Sequence, residues 1–395
     1  SEEEEDNYSE VVQGEIKSEK MTQTGTDSEE EDDSEIEKFV HINDDREIQT
    51  GTESEESDSD VEQVEKKTVK VKQRGMESED DEDSEVEQGK DDEESERTIE
   101  SDESTMKTKT LWEQGQTELV VSVIKSQDQC VTLRHSECMT LRPEELICGE
   151  VIEAYMRATL NQYDPAHRIW QIDHYTNGVI LGGSREQMSR HLMRNVNLDT
   201  FDAAVSFVNV NNNHWRFVYL HVPSRSLFVM DPAAAEQDLH LSTTAVQCYN
   251  RYFRMRQNLY GKQVWGSLKW KATTIPHTVQ QDTTSCGVFV MQMAKEAIQS
   301  FPAIPSFNMK NSPRDMCRLR EEMAAELLST SEKDYCSMCG LKEVPRDKDI
   351  EAVVIDWTQC DSCGRWFHDM CLTATQMVHV PKELAQWQCT LCDNQ

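Results

Sequence analysis

The sequence predicts a globular domain of mixed helices and strands, set between an acidic arm and a small module held by metal. Three observations carry this. Residues 1–110 hold 42 Asp/Glu against 13 Lys/Arg, a net of −29 out of −35 for the chain. All 13 Cys and all 8 Trp lie beyond residue 110, so the foldable material is there. After residue 335, seven Cys and one His fall into closely spaced pairs, the spacing by which one turn supplies two metal ligands. A length of 395 residues allows two or three domains. No apolar run approaches the roughly 20 residues of a membrane span. Cysteine paired for metal fits a reducing, intracellular compartment better than a disulfide scaffold. The chain starts at Ser1 rather than Met, so it is compatible with a fragment and an absent targeting signal excludes little.

Residues 1–110 cannot bury enough apolar surface to fold alone and are expected to be disordered. They carry a degenerate repeat: TGTDSEEEDDSEIE from Thr24, TGTESEESDSDVE from Thr50 and RGMESEDDEDSEVE from Arg74. The units have no apolar face to stack, so a linear array is expected rather than a solenoid. Serines embedded among acids (Ser28, Ser34, Ser54, Ser59, Ser78, Ser84) suit acid-directed kinases, whose phosphates add charge without creating a fold. Phe39-Val40-His41-Ile42 after an acidic run resembles a SUMO-interacting motif, a short strand that adds to a partner's sheet edge. The patch Lys66-Lys67-Thr68-Val69-Lys70-Val71-Lys72 has the composition of a nuclear signal. The arm as a whole repels nucleic acid and suits a basic partner.

Each element of the middle region has its own signal. Leu141-Arg142-Pro143 is a turn leading into a helix through Glu150–Met156, with Val151, Ile152, Tyr155 and Met156 on one face. Ala203–Val210 is a buried strand, punctuated by Asn211, Asn212 and Asn213. His214–Leu220 begins the next strand, and a turn at Pro223-Ser224 leads to Leu227–Asp231. These two strands are predicted to form a hairpin, with His214 and Asp231 at the same end of the ladder.

The segment from Val279 to Ile298 begins as a polar turn and becomes apolar after Cys286-Gly287, at Val288, Val290, Met291, Met293, Ala294, Ala297 and Ile298. It is too apolar for a surface helix and long enough for a buried one. Cys286 then sits at a helix N-terminus, where free N–H groups and the helix dipole favour a thiolate. Taken alone, the segment favours the plain reading, a core helix that carries a buried and inert Cys. The upstream pair changes this. A thiol nucleophile needs a base within hydrogen-bond reach and a carboxylate to orient the imidazole, and His214 and Asp231 supply them. Gln280, six residues before Cys286, can join the Cys286 N–H in an oxyanion hole. Singly, a His beside a Trp is usually structural and an Asp-Pro is usually a turn; the order His, Asp, Gln, Cys in these contexts is the stronger signal.

The residues Leu141-x-Pro143, Glu150-Val151-Ile152-x-x-Tyr155, His214-Trp215, Asp231 and Gln280-x5-Cys286-Gly287 resemble the ubiquitin-like-protein cysteine proteases, which include the SUMO-deconjugating sentrin-specific proteases. Ser312–Met323 resembles that family's last helix, with Ser312 as N-cap and Pro313 at N1. The resemblance covers about residues 140–330. It implies an α+β, papain-like domain, placed here at 111–330, that cleaves after the Gly-Gly end of a ubiquitin-like modifier. Trp215 then resembles the lid over the tunnel holding that diglycine. Leu146 and Gly149 stand where the family usually has a Trp and an Asp, one walling the tunnel and the other holding the modifier. This looser pattern resembles protease domains of transposon-derived proteins.

The last part, residues 331–395, carries Cys336-x2-Cys339-x20-Cys360-x2-Cys363-x4-His368-x2-Cys371-x17-Cys389-x2-Cys392. Four pairs of soft ligands suit two structural zinc ions, and so short a segment cannot bury a sufficient core without them. The His in fifth place behind Trp366-Phe367 resembles a plant homeodomain (PHD) finger. That resemblance implies Cys336, Cys339, His368 and Cys371 on one zinc, and Cys360, Cys363, Cys389 and Cys392 on the other. Tyr335, Trp357 and Trp366 match the positions of an aromatic cage for methyl-lysine, whose cation is attracted to ring faces; Trp366 as a core aromatic is the plain alternative. Asp349, Glu351 and Asp356 flank the strand beside which a basic peptide lies, and Pro381 with Trp387 matches the loop accepting a peptide's amino terminus.

Together these features predict a nuclear cysteine protease acting on a ubiquitin-like modifier or its conjugates and recruited to chromatin through a histone amino-terminal tail. No direct nucleic-acid or membrane contact is expected. The alternatives are a catalytically silent chromatin-binding protein and a viral or transposon-type endopeptidase.

Overall fold

Two apolar faces on one sheet organise the protease region. The computed structural model describes residues 108–125, 130–234, 239–344, 356–374 and 386–393. The acidic repeats, Phe39–Ile42, the Lys66–Lys72 patch, Asp349, Glu351 and Pro381 lie outside these. All described residues belong to one unit, residues 36–395.

The elements used below, counting longer helices only, begin with a hairpin, β1 (Val120–Ile124) and β2 (Val131–Arg134). Helix α1 (Gly149–Tyr163) follows, then β3 (Ile169–Gln171) and α2 (His174–Gly182). The sheet continues with β4 (Ala203–Val210), β5 (His214–His221) and β6 (Ser226–Met230). Helix α3 (Leu239–Tyr260), β7 (Lys271–Thr273), α4 (Cys286–Ser300) and α5 (Pro313–Ser329) complete the region. A small hairpin, β8 (Trp357–Gln359) and β9 (Trp366–His368), lies in the metal-ligand segment.

The five-stranded sheet has the order β3-β4-β5-β6-β7. β5 is antiparallel to both of its neighbours, β4 and β6, and β3 and β7 join the edges in parallel. The middle strands read as nearly continuous apolar runs because both faces are covered. Alternate residues nevertheless go to different cores. Val205, Phe207, Phe217, Tyr219, Phe228 and Met230 join the core built on α1 and α4. Ala204, Val208, Val218, Leu220, Leu227 and Val229 join the one built on α2 and α3. Each buried Phe or Val stabilises this sandwich by roughly 1.5–3 kcal/mol. The expected helix at Glu150–Met156 is the first half of α1, with Val151, Ile152, Tyr155 and Met156 all buried. Strand β4 spans the expected residues, and α5 is capped as expected, Ser312 Oγ accepting from Asp315 N at 3.2 Å.

β1 and β2 pack on α5 and α1, and Ser122 Oγ of β1 donates to the Leu327 carbonyl at 2.8 Å. The chain leaving α5 returns along β1. Val123 N donates to Ser331 Oγ at 2.9 Å, Glu332 N to the Val123 carbonyl at 2.8 Å, and Val120 N to the Ser337 carbonyl at 2.7 Å. The metal-ligand segment is thus sewn to the protease region, and Cys336, Cys360, Phe367, Cys389 and Leu391 share the α1/α4 core. Among the described residues no helix is long and apolar enough to cross a membrane.

Candidate active site

The β5–β6 ladder pairs Phe217 with Met230. One step further, Arg216 stands opposite Asp231, and His214 lies two residues beyond Arg216 on the same face. Both side chains therefore converge on one carboxylate. His214 Nε2 donates to Asp231 Oδ1 at 2.6 Å, and Arg216 Nε to Oδ2 at 2.7 Å. Ala233 N donates to Oδ1 at 2.9 Å. With Nε2 committed to Asp231, Nδ1 is left for the Cys286 thiol, to which the ring is also hydrogen-bonded.

The electrostatics follow. Hydrogen bonds to Asp231 and then to Cys286, opposed by burial, push the His214 imidazolium up to about 9. Burial works to raise the Asp231 carboxyl, but the His214 bond and the Arg216 cation overcome it and hold it well below the usual carboxylate range. The result is an imidazole of raised proton affinity set between an ionised carboxylate and the Cys286 sulfur, a base placed to activate a nucleophile.

Cys286 is the first residue of α4 and is buried. The side chain of Ser285 does not cap α4. Its hydroxyl instead donates to Asp282 Oδ2 at 2.8 Å, while Asp282 Oδ1 accepts from Thr284 N and Ser285 N at 2.9 and 2.7 Å. Asp282 thereby orders the turn that delivers the thiol. Arg320 of α5, buried, secures the turn from behind. It donates to the carbonyls of Thr284 at 3.0 Å, Arg142 at 3.0 Å and Thr140 at 3.3 Å. Gly287 meets a close approach: a Cβ there would lie 2.8 Å from Ile147 Cβ.

The Trp215 indole is buried, and its Nε1 donates to the Ile147 carbonyl at 2.8 Å, so the expected lid is tied to the segment before α1. Leu146 is exposed. Gly149 faces His174: a Cβ there would stand 3.0 Å from its ring. His174 is gripped by Glu153, whose carboxylate takes both Nδ1 at 2.7 Å and the backbone N at 2.9 Å. Burial would lower this imidazole, but Glu153 prevails and raises it.

His214, Asp231 and Cys286 are thus brought together. Gln280 lies on the adjoining loop, its N donating to the Pro232 carbonyl at 2.8 Å. Its amide Nε2 donates to the Asp282 carbonyl at 2.9 Å, and Oε1 is buried without a partner among the described residues. The sequence reading missed Arg216, Asp282 and Arg320. For Arg216 a signal existed, because alternation along a strand puts residue 216 on the face of residue 214. Arg320 gave none, since its partners are carbonyls remote in sequence.

The metal-ligand segment forms two clusters, Cys336/Cys339/His368/Cys371 and Cys360/Cys363/Cys389/Cys392, each with its four ligand atoms within 4.8 Å of one another. Cys339 Sγ and Cys371 Sγ lie 3.5 and 3.6 Å from His368 Nδ1, and Cys363 Sγ lies 3.7 Å from Cys389 Sγ. These are edge lengths of a tetrahedron around an ion with bonds near 2.0–2.3 Å. His368 Nε2 donates to the Lys342 carbonyl at 3.3 Å, which frees Nδ1 to ligate. Backbone N–H groups of His368 and Cys389 point at Cys336 Sγ and Cys360 Sγ, at 3.2 and 3.3 Å. The donors therefore fit metal, and both clusters can hold an ion.

Of the three expected cage residues, Trp357 and Trp366 share one face of the β8–β9 hairpin, since Trp357 pairs with His368 and Trp366 with Gln359. Trp357 lies against the His368 ring, centroids 4.1 Å apart, and Trp366 is exposed. Tyr335 is hydrogen-bonded to Ser331 beside the linker.

Residues 183–335 match the Ulp1 protease family, C-terminal catalytic domain. The chain thus carries a cysteine peptidase domain of the Ulp1 type, with α1 built into the same core although it precedes the matched residues. No curated protein sequence matches this chain. Similar solved structures include the yeast Ulp1 protease domain in complex with Smt3, the yeast orthologue of SUMO: 16% identity, 59% of this chain, 95% of that one, TM-score 0.45. The Ulp1-like SUMO protease catalytic domain of Chaetomium thermophilum shows 14% identity over 58% of this chain and 89% of its own, TM-score 0.43. Xanthomonas campestris effector XopD, bound to ubiquitin, shows 15% identity over 45% and 90%, TM-score 0.33. At these scores the likenesses add no argument to the family match and the site.

Proposed function

We propose that this protein is an isopeptidase that cleaves after the carboxy-terminal Gly-Gly of a SUMO-like modifier. The observation that carries it is the His214–Asp231 pair meeting Cys286 beneath a tied-down Trp215, inside residues that match the Ulp1 family. The chemistry runs through these residues. His214 takes the thiol proton as Cys286 Sγ attacks the carbonyl of the last glycine. The same imidazolium then protonates the departing lysine amine, leaving a thioester that water hydrolyses with His214 again as base. Asp231 holds the ring in the required orientation throughout. Backbone N–H at Cys286, together with Gln280, would stabilise the oxyanion.

The metal-ligand segment supports a PHD-type finger in which both clusters take zinc. Zinc supplies no reaction chemistry here; it fixes the loops. Exposed Trp366 beside Trp357 supports uptake of a methylated lysine from a histone amino-terminal tail, with Tyr335 as the third wall. This would place the enzyme on chromatin, in the nucleus.

A panel of modifier-derived probes with carboxy-terminal electrophiles tests the reaction. Labelling of Cys286 by the SUMO-type probe and not by ubiquitin supports the proposal. Labelling by ubiquitin alone changes the substrate, and labelling by none removes the isopeptidase reading.

A further inference from the structure

We infer that Arg216 is a positioning residue of the catalytic centre, holding Asp231 by the oxygen that His214 leaves free and limiting how tightly the imidazole keeps its proton. This rests on the proposed function only in taking Cys286 as the nucleophile; it does not depend on which modifier is cleaved.

The argument begins with the carboxylate. An Asp gripped at one oxygen can rotate about its terminal torsion, carrying its hydrogen-bonded imidazole with it. Here both oxygens are held from strand β5, by His214 Nε2 at 2.6 Å and Arg216 Nε at 2.7 Å. The Asp231 main chain is fixed as well: His277 Nε2 lies 2.9 Å from its carbonyl, and His277 Nδ1 lies 3.0 Å from the Ile275 carbonyl. The plane of the carboxylate, and so of the imidazole, is set by two donors two residues apart on one face of a strand.

The second consequence concerns charge. Around His214 the ionisable groups are Asp231 and Cys286. Around the Asp231 carboxylate they are His214 and Arg216, with His277 at the main chain. The Asp231, His214 and Arg216 side chains are only 10%, 19% and 18% exposed, so water screens them little. Arg216 and the imidazolium share one negative charge. The guanidinium therefore weakens the field that holds a proton on His214, keeping the ring able to give it up to the leaving amine. An arginine here for stability alone would affect melting and leave the pH behaviour of the thiol unchanged.

The test uses the full chain and iodoacetamide, which needs no modifier. Alkylation of Cys286 is followed by peptide mass spectrometry across the pH range, with Cys286→Ser as the blank. The profile contains a step where His214 loses its proton. In Arg216→Gln that step should move upward by about half a unit or more. The rate near neutrality should fall roughly tenfold or more from lost geometry. Arg216→Lys keeps the charge without the fork, so the step should stay in place while the rate falls. Folded variants of both kinds with the wild-type profile overturn the inference, as does a downward step in the Gln variant. If Arg216→Gln fails to fold, Arg216→Lys decides alone: a slowed rate with an unmoved step upholds the inference, and a wild-type rate overturns it. A wild-type protein with no step at all overturns the nucleophile assignment, and this inference with it.

Discussion

The catalytic centre and the metal-ligand segment place their side chains by opposite means. At the catalytic centre, residues from β5, the end of β6 and the start of α4 meet because a two-faced core fixes those elements, while hydrogen bonds accepted by Asp282 and donated by Arg320 fix the turn leading into α4. The chemistry is ready before any ligand arrives. In the metal segment the strands are three residues long and the buried groups are largely the ligands themselves. There the fit of the donors to an ion supplements the few side chains the segment shares with the α1/α4 core. The difference teaches where each region is vulnerable: the first to a changed atom in the reaction path, the second to loss of an ion.

The sharpest way to break the comparison is at the nucleophile. Cys286→Ser should abolish labelling by a modifier vinyl-sulfone probe while circular dichroism is unchanged; cleavage persisting with Cys248 or Cys317 labelled would overturn the assignment. His214→Ala should lower turnover by about 10²–10⁴-fold in a protein that still folds, read by steady-state kinetics. Next comes metal. Elemental analysis should find two zinc ions per chain, and chelation should melt the finger, seen as loss of near-ultraviolet signal from Trp357, Trp366 and Trp387. Because the linker is sewn to β1, the protease region should also unfold at lower temperature after chelation, while Cys286 remains alkylable below that transition.

Charge sharpens the contrast further. His214 is held protonated to about 9 when folded, against roughly 6.5 in an unfolded chain. Its contribution to stability is complete below about pH 6.5 and is lost as pH rises through 9. The thermal midpoint should therefore decline across that window, and His214→Asn should flatten the decline. The smallest effect is expected at the finger. Trp366→Ala should remove roughly 1–2 kcal/mol of preference for a trimethylated over an unmethylated histone peptide, with zinc content unchanged. Equal affinities in the wild type, measured by calorimetry, would leave the finger without a reading role.

Much of this molecule was legible because local pattern and tertiary role coincide. His214 opens one strand and Asp231 follows the end of the next, which placed them at one end of a hairpin, and the polar-to-apolar change at Cys286 marked the start of α4. Ligand spacing in the finger is written in the sequence directly, because each turn supplies its own pair. The pairing of turns into clusters matched what the PHD resemblance implied. What pattern could not show was support from a distance. Arg320 acts on Thr284 and Arg142 through carbonyls, which any residue type supplies, so no side-chain motif records the contact. His174 fills the space above Gly149 from another helix, a fact that only the packed structure relates to the missing Asp side chain. Seam contacts such as Glu332 to Val123 were invisible for the same reason.

Under the proposed tail-reading role, that seam has a consequence for substrates carrying two marks. A flexible tether between a reader and a catalyst raises the effective concentration of any second ligand within its reach, almost regardless of direction. Here the linker runs hydrogen-bonded along β1, with Gly340 packed so closely on Thr132 that a Cβ would stand 2.5 Å away. Such a joint rewards only a pair of marks at one separation and one orientation. Avidity then becomes a ruler: a conjugate at the wrong distance from the bound tail gains nothing from the second site, however tightly that tail is held.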